Sequence, residues 1–334
     1  MTAREILQDF KNKIFRPVYF FYGEEPFYID ELTAYIEHHA LDEENRDFNQ
    51  QILYGRDVDA QDVVDVSRRF PMMSNYQVVI VKEAQEIEQW DALEKYFQKP
   101  SATTILVINY KYKKLDKRKS LYKTLTKSKE TVVFESAKLY DDKVPGWITQ
   151  RAQELNFLIK PQSALLLAEH IGNDLSRINN EFSKLAISLK PGETITNDHI
   201  EEHIGISKEF NVFELNKALG AKDVFRALRI VQYFESNPKQ SPLFVIIPVI
   251  YSFFVKVLLY HQFQKEDPKL LPAKLGISSF FLREYQVAAR NYSITDIKRI
   301  MVEIHDLDLK TKGLNTSDSL SYGPLKEFIM KYVA

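Results

Sequence analysis

A chain of 334 residues is longer than the ~100–200 residues of one typical domain, so two or three domains with separate cores are expected. Hydrophobic residues make up 45% and charged residues 27%, with only 10 Gly and 13 Pro, which excludes a disordered or fibrous chain. The formal net charge of −1 argues against a free-standing nucleic-acid binder held by counterion release, and the absence of Cys excludes disulfides, thiolate metal sites and thiol nucleophiles.

The N-terminal MTAREILQDF is charged and helical in pattern with no apolar export segment, so a reducing cytoplasm is the simplest compartment. Over the first 140 residues short apolar runs alternate with helical periods, the pattern of an α/β domain with a largely parallel sheet. The expected strands are Val18–Tyr22, Phe48–Tyr54, Gln77–Val81, Thr104–Asn109 and Thr131–Phe134. Between the second and third, Asp59–Arg69 reads as a helix whose apolar face carries Val63, Val66 and Phe70, with Pro71 biasing Phe70 away from helix.

Beyond Tyr140 the strand signals stop. Helices are expected over Pro145–Asn156, Gln162–Ile171 and Asp174–Leu189, with Gly172 as a cap and a short helix after Thr196. From Asn211 the pattern stays helical, with amphipathic stretches at Ala221–Glu235, Leu243–Gln264 and Ile294–Lys310. The expected division is an α/β domain over 1–140, a three- to four-helix domain over 141–208 and an all-helical third over 209–334, with the second boundary near Ile206–Phe210. The uncharged run Gln240–Val255 imitates a membrane span. It is shorter than the ~18–20 apolar residues a bilayer demands and contains Pro248, so a buried, kinked core helix is expected and no membrane association.

The first strand, VYFFYG, runs into GEEPFYID, the place where a P-loop enzyme carries G-x-x-x-x-G-K-[ST]. Gly23 is present, but Tyr28 replaces the second Gly, Ile29 the Lys and Asp30 the Ser/Thr, while Glu24 and Glu25 would repel a triphosphate. At the end of the third strand, where a Walker-B motif has Asp-Glu, Lys82 replaces the Asp and only Glu83 remains. Two independent losses read as a P-loop-related fold with a degenerate nucleotide site. The alternative is an unrelated α/β sheet that never had the motif.

The stretch Lys111–Lys129 carries nine Lys or Arg, among them Lys113, Lys114, Lys117, Arg118 and Lys119, opposed only by Asp116. It has two readings, phosphate contact or a solvated charge surface. His199, Glu202 and His203 spell H-x-x-E-H, but nothing nominates a third ligand, and paired His on a short exposed helix is ordinary. AKLGISSFFLREYQ imitates a helix-turn-helix, yet its second helix opens on Phe280, Phe281 and Leu282, which suit a core better than base edges. No spacing of serine, lysine or carboxylates nominates a catalytic group.

Four segments resemble the DNA polymerase III delta-subunit family: PVYFFYGEEPFYIDEL at the start, GNDLSRINNEFSKLA (Gly172–Ala186), LPAKLGISSFFLREY (Leu271–Tyr285) and HDLDLKTKG (His305–Gly313). They occur in order and span nearly the whole chain. The resemblance implies a relative of AAA+ ATPases with a clamp-binding first domain, a helical lid, and an all-α collar that joins a five-membered ring. It implies no cofactor and no catalysis by this chain, which would be the non-catalytic subunit that binds and opens the β sliding clamp for loading on primed DNA. The implied partners are that clamp, the ATPase subunits gamma and tau, and delta-prime.

The implied clamp contact is RFPMMSNYQ, where Phe70, Pro71, Met72 and Met73 match the family's apolar tip, which usually has Leu and Phe in place of the two methionines. This reading sets the tip beside the inactive nucleotide pocket. The competing reading has Phe70 capping the core and both methionines filling gaps under the sheet. Two further classes stay open on sequence, an active AAA+ ATPase of replication or repair and a helix-turn-helix regulator.

Overall fold

The computed structural model describes residues 1–204, 207, 210–239, 241–268, 270–277, 279–313 and 321–333, with the Phe280 side chain left aside. The chain forms two compact units, Met1–Leu139 and Tyr140–Ala334. The expected boundary near Ile206–Phe210 falls largely outside the described residues.

In the first unit the order is α1 (Ala3–Lys11), β1 (Val18–Gly23), α2 (Pro26–His39), α3 (Glu43–Asn49), β2 (Gln50–Tyr54), α4 (Ala60–Ser67), β3 (Gln77–Lys82), α5 (Asp91–Gln98), β4 (Thr104–Lys111), α6 (Ser120–Lys127) and β5 (Thr131–Glu135). The five strands lie in the order β2-β3-β4-β1-β5, and every pairing is parallel. The central strands are apolar almost throughout because both faces are covered, as a parallel sheet requires. Side chains alternate between the faces. Tyr19, Phe21, Val78, Ile80, Ile105 and Val107 pack with Ile6 and Phe10 of α1 and Ile29, Leu32 and Ile36 of α2. Phe20, Tyr22, Val79, Val81, Leu106 and Ile108 pack with Val63 and Val64 of α4, Leu93, Tyr96 and Phe97 of α5, and Leu121 and Leu125 of α6.

Two expectations need correction. Phe48 and Asn49 do not open the second strand; they complete α3, where the Asn49 side-chain amide donates to the Asn45 carbonyl 3.0 Å away, one turn back. The helix expected to reach Arg69 stops at Ser67, so Phe70 is not on its apolar face.

The second unit contains α7 (Val144–Glu154), β6 (Leu158–Ile159), α8 (Pro161–Ile171), α9 (Leu175–Ser188), β7 (Thr194–Ile195) and α10 (Asn197–Ile204), in which β6 and β7 form a small parallel pair that the sequence did not signal. It continues with α11 (Val212–Gly220), α12 (Val224–Ser236), α13 (Leu243–Phe263), α14 (Leu271–Leu275), α15 (Leu282–Asn291), α16 (Ile294–Thr311) and α17 (Gly323–Tyr332). The membrane-like run lies in α13. One side of that helix, with Ile246, Ile250, Phe253, Phe254 and Val257, is buried against Leu215 and Leu219 of α11, Ala288 of α15, and Ile297, Ile300 and Ile304 of α16. Among the described residues α13 is the one helix long and apolar enough to cross a membrane; one face of it packs in the core of this unit, while Phe244, Val245 and Tyr251 stay exposed. The Tyr292 hydroxyl, buried just after α15, donates to the Leu219 carbonyl at 2.7 Å and ties α15 to α11.

A cavity of about 170 Å³ lies within this unit, lined in part by Asp141, Glu169, Asn216, Lys256, Glu284 and Tyr285. Burial, and then the charges of Glu284 and Glu214, push the Glu169 carboxyl up to about 8, with Lys217 opposing. A carboxyl raised on folding contributes its full stability below its unfolded value of 4.5, and that contribution is lost as pH rises through about 8. Glu169→Gln is therefore expected to flatten the fall in melting temperature between these two pH values and to melt a few degrees higher than the parent at the alkaline end. Identical pH profiles for the two proteins would show that Glu169 is not buried as described.

Candidate functional site

Two places in the first unit carry the residues singled out by sequence, and they lie at opposite ends of the sheet. The crevice after β1 is at the C-terminal ends of the strands, the end at which open α/β sheets receive ligands. The apolar loop between α4 and β3 is at the N-terminal ends, beside the first residues of β3 and β4. The expected adjacency of tip and pocket is thus corrected, because α4 runs antiparallel to the strands and delivers its C-terminus to their starting edge.

At the crevice, Gly23 has φ +142°, and a Cβ there would stand 2.0 Å from the Ser136 carbonyl oxygen. The chain turns tightly here, with the Ser136 amide donating to the Tyr22 carbonyl at 2.7 Å and the Glu25 amide to the Ser136 carbonyl at 3.1 Å. Helix α2 begins at Pro26, which has no N–H to offer an anion, and the Glu25 carboxylate accepts the Phe27 N–H at 3.0 Å. A helix N-terminus attracts anions, and this one already holds a carboxylate from its own chain. Tyr28 is half-buried, and Ile29, at the position of the P-loop lysine, is buried in the core under the sheet.

Charges around the crevice are paired internally. Lys111 bonds Asp30, Lys114 lies 3.0 Å from Glu24, and Lys117 lies 2.8 Å from Glu135. Lys117 holds the Glu135 carboxyl below its usual range, and Glu135 in turn accepts from the Tyr22 hydroxyl at 3.0 Å. Lys113 stands 4.0 Å from Glu86, and Arg118 grips Asp116 through two nitrogens at 3.1 and 3.2 Å. Lys119 is the N-cap residue of α6. At the end of β3, Lys82 pairs with Glu37 at 3.2 Å, and Glu83 adopts a left-handed conformation with φ 55°.

The loop at the other end is built differently. The last carbonyls of α4 are taken by side chains from strand starts. Gln77 donates its amide to the Arg69 carbonyl at 2.6 Å and to the Thr104 hydroxyl at 2.9 Å, and Thr104 donates to the Ser67 carbonyl at 2.8 Å. The Tyr96 hydroxyl also reaches the Ser67 carbonyl, at 3.4 Å. These bonds meet the acceptors that a helix end leaves open, and the chain leaves the helix through half-buried Pro71. Phe70 is 86% exposed, Met72 62% and Met73 99%, so none of them fills the core or a gap under the sheet. Phe48, at 71%, adds a further exposed aromatic one residue from Asn49, which bonds the Met72 backbone. Sequence reasoning did not single out Phe48, because it reads as the first apolar residue of a strand.

The remaining motifs are accounted for by the second unit. His199 and His203 lie on α10, and no group of three or more His, Asp or Glu among the described residues is arranged to hold a metal. In the helix-turn-helix look-alike, Phe281 and Leu282 are half-buried at the start of α15, and Phe281 lines the cavity that holds Glu169.

A three-layer parallel α/β unit followed by a helical unit is the architecture of the clamp-loader proteins of DNA replication to which this chain is similar. Over 99% of both chains it superposes on Bacillus subtilis DNA clamp loader delta protein with a TM-score of 0.67 and 25% sequence identity. Bacillus subtilis DNA polymerase III subunit delta is 26% identical over 322 residues, 92% of this chain and 91% of that protein. The family described as "DNA polymerase III, delta subunit" matches residues 19–137. Over nearly its whole length the chain is thus similar to DNA polymerase III delta subunits.

The crevice geometry makes a direct prediction. Gly23→Ala drives a methyl group into the Ser136 carbonyl at a backbone angle that L-residues rarely adopt, and is expected to lower unfolding free energy by about 3 kcal/mol in denaturant titration. A change below about 0.5 kcal/mol would show that the β1 turn is looser than described.

Proposed function

We propose that this chain grips the β sliding clamp through Phe70, Met72 and Met73, holds one clamp interface open, and neither binds nor hydrolyses ATP. The observation that carries the reading is three large apolar side chains exposed together on a loop whose backbone is pinned from both sides. Exposed apolar clusters of this kind mark interaction surfaces, and flexible methionines with an aromatic anchor suit a partner's pocket. Burying the three contributes roughly 1.5–3 kcal/mol each before ordering costs.

Clamp opening follows from differential binding. The tip must prefer the open or distorted clamp, since equal affinity for both forms would shift nothing. ATP acts from neighbouring subunits, gamma or tau, whose rearrangement with delta-prime exposes or hides the tip. In this scheme residues 141–208 serve as the lid and 209–334 as the collar of the ring, in the bacterial cytoplasm. The run Lys113–Lys119 meets primed DNA only secondarily, because phosphate would have to replace Glu86, Glu24 and Glu135 as its partners.

The test is the triple substitution Phe70→Ala, Met72→Ala and Met73→Ala. It is expected to weaken clamp binding at least a hundredfold while leaving the melting temperature and assembly with the ATPase subunits unchanged. Parental clamp affinity in the triple variant overturns the proposal.

A further inference from the structure

We propose that Asn49 is the positioning residue of the apolar tip, fixing the backbone of Met72 so that the loop meets its partner already in its binding conformation. The proposal rests on the clamp reading above and extends it from the side chains that touch the clamp to the group that presents them.

Asn49 ends α3, a separate element from the α4–β3 loop, and is only 4% exposed. Its Oδ1 accepts the Met72 N–H at 2.6 Å, and its Nδ2 donates to the Met72 carbonyl at 2.9 Å and to the Asn45 carbonyl at 3.0 Å. A primary amide that accepts and donates to one residue imitates a strand pairing with that residue's backbone. The grip ignores the side chain at position 72 and constrains its backbone alone. It also sits directly before Met73, which is held in a left-handed conformation at φ 55° that a long side chain adopts only when its surroundings impose it.

The loop is therefore pinned at two separate places, by Gln77 on the Arg69 carbonyl and by Asn49 on Met72. Phe70 and Pro71 span the interval between them. Fixing one residue's backbone costs roughly 1–2 kcal/mol, so a loop ordered before binding spares the complex that loss. Removing the Asn49 grip should therefore slow association more than it speeds dissociation, since fewer encounters find a competent tip.

Two variants of the full chain test this. Asn49→Ala removes all three bonds. Asn49→Asp keeps size and the acceptor for the Met72 N–H but loses both donors and sets a carboxylate against two carbonyls. In each, clamp association and dissociation rates are measured beside amide hydrogen exchange and melting temperature, with the Phe70, Met72 and Met73 triple-alanine variant as the reference for a lost contact. The expected result is faster exchange at residues 70–76, parental exchange in β1, β3 and β4, and an association rate reduced about tenfold.

Parental exchange at the tip in either folded variant overturns the proposal, as does a loosened tip with an unchanged association rate. If the triple variant loses the clamp while both Asn49 variants bind like the parent, the positioning role fails and the clamp reading stands. If the triple variant binds normally, both fall together.

Discussion

The C-terminus of α4 is tied to the starting edge of the sheet, and the character of the first unit depends on that tie. A helix end leaves its last carbonyls without intrahelical partners. Here no glycine cap resolves them; Gln77, Thr104 and Tyr96 do, reaching in from β3, β4 and α5. The helix is stopped at Ser67 by tertiary bonds, and the chain leaves it with Pro71 following directly on Phe70. Residues that would have continued a buried apolar face are turned outward instead. Their exposure is held in place by polar groups that are themselves buried or nearly so, with Gln77, Thr104 and Asn49 all at or beside the first residues of strands.

The two ends of one sheet thus carry opposite physical characters. At the strand C-termini, where a nucleotide would be cradled in a P-loop protein, the chain supplies its own anion to the N-terminus of α2 and its own cations to Asp30, Glu24 and Glu135. Exposed ion pairs of this kind are each worth ~0–1 kcal/mol, so they add little to the stability of the fold. At the strand N-termini, Phe70, Met72 and Met73 present apolar surface directly after the exposed Arg68 and Arg69. The six-residue β3 separates the two by about 17–20 Å along the strand.

Sequence pattern and structure agree where burial alone decides. The parallel strands are legible because being covered on both faces demands runs such as VYFFY and VVIV. Helices α8, α9 and α16 are legible because one apolar stripe and a cap mark each. What the pattern missed depends on register in space. Phe48 and Asn49 read as the start of a strand because they lead straight into QQILY, yet the backbone keeps both in α3, from which the Asn49 amide reaches the Asn45 and Met72 carbonyls. Gln77 reads as an unremarkable first strand residue until α4 places its carbonyls within reach. The basic run was visible as composition, but its carboxylate partners come from α2, β5 and the loops after β1 and β3, which no spacing rule connects.

The central proposal is that an apolar tip, preset by Gln77 and Asn49 in a chain whose β1 crevice pairs its own charges, holds the sliding clamp without nucleotide. Isothermal titration of the isolated chain with the clamp of its own organism, first without nucleotide and then with ATP and magnesium, tests it most directly. The account predicts saturable binding in the first titration and the same affinity in the second. Binding that appears only when ATP is present, or that is absent in both, would contradict it.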